Sequence, residues 1–221
     1  MKLVVISDTH GKHDWLEKVP DGDVLIHCGD FTNVGEHEQV EDFITWLAGH
    51  PHKFKIFIAG NHDKSFDTKF VRSSRDNEWL KSVYKRIEDL GLYYLENSGV
   101  DILGVKFWGS PITPDFYPQH WAFNCPRGNE IAKYWDKIPQ DTDVLITHGP
   151  PAHVLDWCAN GRLVGCNDLM YHVQRVQPVY HLFGHIHESY GVEQKVDTTF
   201  VNASQLNERY SLTNKPIVLD V

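Results

Sequence analysis

The sequence predicts an α/β domain in which two β-sheets pack together and helices cover their outer faces. Short apolar runs rich in Val, Ile, Leu and Phe alternate with stretches of helical periodicity, a pattern typical of α/β proteins. The chain also contains several strands that no long helix separates, and this surplus indicates a second sheet. A length of 221 residues, of which 41% are hydrophobic, fits a single domain over residues 1–221.

Each element is predicted from its own pattern. Apolar runs of four or five residues predict five buried strands, at Leu3–Ile6, Val24–His27, Lys55–Ala59, Val144–Thr147 and Tyr180–Phe183. Apolar residues on one helical face predict helices at Glu36–Gly49, Asp76–Leu90, Arg127–Trp135 and Asn167–Val176. The remaining strands are expected at Tyr93–Leu95, Val100–Trp108, Thr199–Ala203 and Ile217–Val221.

The composition excludes some classes of function. The 21 Lys and Arg against 30 Asp and Glu give a formal charge of -9, so the chain lacks the basic surface of a protein that binds duplex nucleic acid. No run approaches 18 apolar residues, so neither a transmembrane helix nor a membrane partner is expected. The four cysteines form no CxxC pair, and we expect reduced thiols in a cytoplasmic protein. The sequence leaves the oligomeric state open.

Polar residues follow each of the five buried strands. The strands are followed by Asp8-Thr9-His10, Gly29-Asp30, Gly60-Asn61-His62-Asp63, His148-Gly149 and Gly184-His185-Ile186-His187. In α/β sheets a ligand binds outside the carboxyl ends of the strands, so these side chains are expected to converge. Each motif alone has an ordinary explanation, for example a turn at the Gly and Asn residues. The presence of all five motifs in this order favours a metal site.

The candidate ligands combine carboxylate, amide and imidazole groups without a thiolate. They are Asp8, His10, Asp30, Asn61, His148, His185 and His187. This mixture suits Mn, Fe, Zn or Ni better than Ca or a structural zinc. Seven ligands exceed the four of one zinc site, and with one bridging carboxylate they fit two metals about 3.5–4 Å apart.

This arrangement resembles the calcineurin-like metallophosphoesterase superfamily, whose motifs are DxH, GD, GNH followed by Asp or Glu, a later strand-end His, and GHxH. Longer strings are similar to the MPPED subfamily of class III phosphodiesterases. They include Gly109-Ser110-Pro111, Trp121-Ala122-Phe123-Asn124, Thr147 to Pro151 and Phe183 to Glu188. The resemblance covers essentially the whole chain. Some members of the subfamily carry Gly at the first His of GHxH, whereas His185 is present here.

The resemblance implies an α/β/β/α sandwich with two mixed sheets, which binds two divalent transition metals and hydrolyses small phosphodiesters such as cyclic nucleotides. By the superfamily pattern, one metal is held by Asp8, His10 and His187 and the other by Asn61, His148 and His185, with Asp30 bridging them. A metal-bridging hydroxide is then expected to attack phosphorus, and Mn is the expected activator.

Further residues are candidates for catalysis and substrate binding. His62 does not match a ligand position, and it is suited to contact the phosphate or to protonate the leaving oxygen. In the superfamily a carboxylate such as Asp63 orients this His, although Asp63 could also be a turn residue. Asn61 is placed to contact substrate as well. Trp121 could stack a base or fill the core, and Arg162 could face phosphate or solvent.

Two other functions compete with the phosphodiesterase hypothesis. A protein or nucleotide phosphomonoesterase is one, but in the protein phosphatases the GD motif continues into VDRG, whereas Asp30 is followed here by Phe31-Thr32-Asn33. A non-catalytic scaffold of the same fold is the other. The retromer subunit of the superfamily is such a scaffold, and these tend to lose the histidine of GNH, which His62 retains here.

Overall fold

The computed structural model describes residues 1–117 and 120–221, and within them thirteen strands and four α-helices. The strands are β1 Lys2–Ile6, β2 Val24–His27, β3 Phe54–Phe57, β4 Tyr93–Tyr94, β5 Ser98–Ile102, β6 Val105–Ser110, β7 Thr113–Pro114, β8 Asn124–Cys125, β9 Val144–Thr147, β10 Tyr180–Phe183, β11 Gly191–Lys195, β12 Thr198–Asn202 and β13 Ile217–Asp220. The helices are α1 His37–Gly49, α2 Ser74–Asp89, α3 Asn129–Trp135 and α4 Asn167–Val176.

The strands form two large mixed sheets, as predicted. The first has the order β13-β1-β2-β3-β4, and the second has the order β11-β12-β10-β9-β6-β5. In the first sheet β13 is antiparallel to β1 and the other pairs are parallel. In the second sheet the two outer hairpins are antiparallel and the inner pairs are parallel. Strands β7 and β8 form a small separate pair.

The alternation of side chains between the two faces of each strand creates the layers of the fold. Leu3 and Val5 of β1 pack with Ile146 and Leu182 of the second sheet, whereas Val4 belongs to the cluster that contains the apolar faces of the helices. Successive residues of a strand point to opposite faces, so a strand that is apolar throughout serves two interfaces. This explains why the central runs of the sequence are continuous rather than alternating.

One sequence prediction merged two strands into one. The segment expected as a single strand at Val100–Trp108 is a hairpin, in which β5 and β6 pair with Ile102 opposite Val105. The turn residues Leu103 and Gly104 have φ values of 55° and 87°, as a tight hairpin turn requires. The strand at Gly191–Lys195 was not predicted. Among the described residues, no helix combines the length and the hydrophobicity needed to cross a membrane.

The topology brings the carboxyl ends of both sheets to one place. Ser7, directly after β1, forms a bridge with Ser204, which comes shortly after β12. The ring Nδ1 of His148, directly after β9, lies 2.9 Å from the carbonyl oxygen of Cys28, directly after β2. The loops that follow five parallel strands therefore meet across the junction of the sheets.

Candidate metal centre

The backbone at the strand ends adopts an unusual conformation. Asp8, His10, Asp30 and His185 have φ values of 52°, 43°, 57° and 68°, in the left-handed region. Asp, Asn and His tolerate this region better than most residues, but it still carries a cost. The chain therefore turns sharply as it leaves each strand, and the side chains that follow converge instead of continuing the alternation of the strand.

Two glycines allow the carboxylates to approach the neighbouring backbone. A Cβ atom on Gly60 would lie 2.2 Å from Oδ1 of Asp30, and one on Gly184 would lie 2.0 Å from Oδ2 of Asp8. Both distances are far below van der Waals contact. No side chain larger than that of glycine fits at either position without displacing a candidate ligand.

Asp8, His10 and His187 form the first cluster. Their ligand atoms lie within 4.8 Å of one another. The two Nε2 atoms of the histidines are 3.4 Å apart, and Nε2 of His187 is 3.5 Å from Oδ1 of Asp8. Asp8 is fully buried, and it accepts hydrogen bonds from the backbone N–H of His185 and the hydroxyl of Ser204. These donors fix the orientation of the carboxylate.

Asp30, His148 and His185 form the second cluster, and Asn61 adjoins it. Nε2 of His148 lies 3.1 Å from Oδ2 of Asp30 and 3.1 Å from Oδ1 of Asn61. The same Oδ2 of Asp30 is 3.9 Å from Nε2 of His10 in the first cluster. Oδ1 of Asp30 accepts the backbone N–H of His62. One carboxylate oxygen therefore lies between the two clusters.

The orientation of two of the histidines, His148 and His187, fits divalent cations. Nδ1 of His148 contacts the carbonyl of Cys28, and Nδ1 of His187 contacts the carbonyl of Asn207 at 3.1 Å. Each ring therefore carries its proton on Nδ1 and directs Nε2 into its cluster, as metal-bound histidines commonly do. Together with the oxygen and nitrogen donors, this arrangement fits a transition-metal site.

The charges of the site point to cations too. Burial lowers the pKa of His148, but the Asp30 carboxylate outweighs burial and raises it to about 9. Burial raises the pKa of Asp30, but His148 and the other nearby histidines lower it overall. Burial lowers the pKa of His185 to about 3 and that of His10 to about 4. Without metal, a proton shared between His148 and Asp30 supplies the positive charge of the second cluster. A bound cation would displace this proton.

The structure corrects the predicted role of Asp63. Its carboxylate accepts the backbone N–H groups of Asp30, Thr32 and Gly60 and the hydroxyl of Thr32, at 2.8–2.9 Å. The ring of His62 instead uses Nδ1 to contact the carbonyl of Asn33 at 2.5 Å. Asp63 therefore holds the two loops that carry Asp30 and Asn61, and Asn33 orients His62. Two adjacent loops need buried acceptors for their inward N–H groups, and this need overrides the expected ring contact.

His62 lies at the edge of both clusters. One of its ring nitrogens is within 4.8 Å of the ligand atoms of His10 and Asp30. Its ring contacts Trp121, with 4.2 Å between ring centroids, and the His10 ring, which lies nearly perpendicular to it at 4.6 Å. Unlike the buried ligands His10 and His148, it is partly exposed to solvent. His62 can therefore reach a substrate that binds in front of the clusters.

An open cavity of about 300 Å³ covers the site. Its lining includes the predicted residues Asp30, Asn61, His62, Trp121, His185 and His187. It also includes four residues that the sequence analysis did not assign to the site, Phe116, Glu188, Glu208 and Tyr210. The predicted substrate residue Arg162 is exposed and is not part of this lining as far as the structure describes it. Glu188 directly follows the GHxH motif, but no sequence pattern marked the other three.

Known proteins match the chain over most of its length. The family model described as Calcineurin-like phosphoesterase matches residues 1–189. Metallophosphoesterase domain-containing protein 1 of Homo sapiens is 43% identical over 233 residues, covering 100% of this chain and 71% of that protein. A UPF0046 protein of Caenorhabditis elegans is 41% identical over 223 residues, covering 99% of this chain and 74% of that protein.

Solved structures share the fold at low sequence identity. The protein TT1561 of Thermus thermophilus has a TM-score of 0.66 at 16% identity, covering 99% of this chain and 98% of that one. A phosphopantetheinyl hydrolase of Mycobacterium tuberculosis has a TM-score of 0.61 at 14% identity, covering 95% and 90%. These likenesses concern the fold alone. The match to the family model and the identity to its relatives place the chain in the calcineurin-like phosphoesterase family, whose members use divalent metals.

Proposed function

We propose that this protein is a dinuclear metal-dependent phosphodiesterase that hydrolyses small phosphodiesters, including cyclic or other nucleotide diesters. The observation that carries the proposal is the position of Asp30. Its Oδ2 atom lies 3.1 Å from Nε2 of His148 and 3.9 Å from Nε2 of His10, so one oxygen adjoins both clusters. Paired cations at such a site activate water and neutralise phosphate charge.

The ligands divide between two cations along the clusters. Asp8, His10 and His187 would hold the first cation. His148 and His185 would hold the second together with Asn61, whose Oδ1 lies beside Nε2 of His148. Asp30 would contact both. Mn is the cation that we expect to activate best, and Fe, Zn and Ni have ligand preferences that this donor set also satisfies.

His62 would act on the substrate directly. Its ring is partly exposed at the cavity, and the Asn33 carbonyl fixes its orientation through Nδ1. A histidine in this position can donate a proton to the oxygen that leaves phosphorus. Trp121, which packs against the His62 ring and lines the cavity, would offer an aromatic face to the leaving group or base.

The charge of the cavity favours diesters over monoesters. A diester carries one negative charge at neutral pH and a monoester carries close to two. The described lining contains no Lys or Arg, and it includes the carboxylates Glu188 and Glu208. Among the described lining residues that are not candidate ligands, only His62 could add positive charge to that of the cations. The four cysteines are free thiols, and we propose a reducing cytoplasmic location for the activity.

Turnover of bis-p-nitrophenyl phosphate and of p-nitrophenyl phosphate tests the proposal. Protein stripped by a chelator should be inactive, and added Mn should restore hydrolysis of the diester with the higher kcat/KM. A tenfold preference for the monoester would favour a phosphomonoesterase instead. Metal-loaded protein that hydrolyses neither ester, nor any member of a panel of cyclic and linear nucleotides, would favour a scaffold. Full activity in protein shown to be free of metal would refute the mechanism.

A further inference from the structure

A short loop near the carboxyl end of the chain contacts the first cluster. Leu206 and Leu212 pair across its base. The side chain of Asn207 accepts the backbone N–H groups of Arg209 and Ser211, and the carbonyl of Asn207 accepts the ring proton of His187. This loop, residues 206–212, therefore holds a candidate metal ligand in place. It lies beyond the residues that the family model matches, which end at 189.

Tyr210 is the residue that this loop brings to the site. Its ring centroid lies 5.0 Å from those of both His10 and His187, and its side chain lines the cavity. It is 44% exposed, so it is open to a molecule in the cavity. The described hydrogen bonds include none to its hydroxyl group.

The backbone of Tyr210 resembles that of the candidate ligands. Its φ is 56°, close to the 52° of Asp8 and the 57° of Asp30. Tyr has no side-chain acceptor to stabilise this conformation locally, so the surrounding contacts must enforce it. They do so through the N–H of Tyr210, which donates to Asn207, and the carbonyl, which accepts from Lys12 at 2.5 Å. These contacts fix the backbone of Tyr210 and so hold its side chain at the cavity.

We propose that Tyr210 is a substrate-contacting residue, whose hydroxyl donates a hydrogen bond to a non-bridging phosphate oxygen on the side of the first cluster. This inference rests on the proposed phosphodiesterase function. His62 and Tyr210 both adjoin the ring of His10, so the phosphate would bind between an imidazole and a phenol.

The hydroxyl is suited to act as a neutral donor. A tyrosine hydroxyl ordinarily has a pKa of about 10, so the phenol keeps its proton at neutral pH. A hydroxyl can approach an anion in this acidic cavity without adding charge to it. In the described lining, Tyr210 thus supplies a donor where Lys or Arg side chains are absent.

The test compares Tyr210→Phe with Tyr171→Phe, which removes a hydroxyl from an exposed residue of α4 away from the cavity. Tyr210→Phe should lower kcat/KM for bis-p-nitrophenyl phosphate by about tenfold to a hundredfold, the range for a hydrogen bond to a charged group. Its metal content should equal that of the wild type. Tyr171→Phe should match the wild type in both respects.

Binding of inorganic phosphate to the metal-loaded proteins, measured by calorimetry, supplies a readout that does not depend on turnover. Tyr210→Phe should weaken this binding by about tenfold or more. Equal phosphate affinity and a kcat/KM within twofold of the wild type would overturn the proposal. Loss of metal in Tyr210→Phe would overturn it as well, because the residue would then act through His10 and His187. If no phosphodiester is hydrolysed by the wild type, the proposed function fails, and the phosphate measurement still decides the role of Tyr210.

Discussion

Replacing His62 with alanine separates proton donation from metal binding. The ring contacts the Asn33 carbonyl at 2.5 Å and packs against the rings of Trp121 and His10, at 4.2 and 4.6 Å. Because His62 is partly exposed, water can replace its hydrogen bond to Asn33, and the loss of stability should be about 1 kcal/mol. The variant should therefore fold.

The expected effect on catalysis is much larger. Loss of a general acid should lower kcat by about 10²–10⁴-fold for a nucleoside or alkyl diester, whose leaving oxygen needs a proton. The loss should be smaller for bis-p-nitrophenyl phosphate, because p-nitrophenolate leaves without one. Single-turnover rates for both esters, together with metal counting by mass spectrometry, provide the measurement.

Metal content decides between two explanations of an inactive variant. A ring nitrogen of His62 lies within 4.8 Å of the ligand atoms of His10 and Asp30, so the geometry also permits ligation. If His62→Ala loses a metal, or if its rate falls by the same factor for both esters, then His62 is not a proton donor to the leaving oxygen. His50→Ala, at the end of α1 and away from the cavity, is the control and should retain full activity.

Three further substitutions test the site and the core. Gly184→Ala puts a methyl group 2.0 Å from Oδ2 of Asp8. The substitution should therefore cost about 1–3 kcal/mol of stability and weaken the binding of the first metal. An unchanged denaturation curve and an unchanged metal content would contradict this. His185→Gly should lose the second metal selectively and recover part of its activity in millimolar Mn; two tightly bound metals with wild-type activity would show that His185 is not a ligand. Burial lowers the pKa of His181 to about 3, so the folded state should lose up to about 1.4 kcal/mol per pH unit as pH falls from 6.5 toward 3. His181→Gln, which can still bond to Thr147, should reduce this slope in denaturation curves, and identical slopes in the two proteins would refute the argument.

The central strands could be predicted almost to the residue. The runs at Val24–His27 and Val144–Thr147 have the predicted bounds, because a parallel strand covered on both faces is apolar throughout and stands out from its flanks. The hairpin between β5 and β6 was missed for a local reason. Its turn places Leu103 where Asn or Asp is usual, and this leucine continues the apolar pattern across the turn.

The contacts that organise the site were harder to predict than its members. The residue types that follow five strands were sufficient to predict that the seven candidate ligands lie close together. The partner of the Asp63 carboxylate was not predictable, because it depends on how the loops containing Asp30 and Gly60 pack against each other. A sequence motif specifies which groups are adjacent in the chain, whereas buried N–H groups from another loop determine which acceptor is used.

Tyr210 illustrates the limit of strand-end reasoning most clearly. The candidate ligands follow buried strands, so the sheets bring them to one edge whatever the loops do afterwards. Tyr210 follows no such strand, and its position depends on Asn207, whose side chain shapes the loop and whose carbonyl holds His187. The same loop thus positions a candidate metal ligand and a candidate substrate contact. A change in this loop should therefore alter metal binding and substrate binding together, whereas removal of the Tyr210 hydroxyl alone should alter only substrate binding.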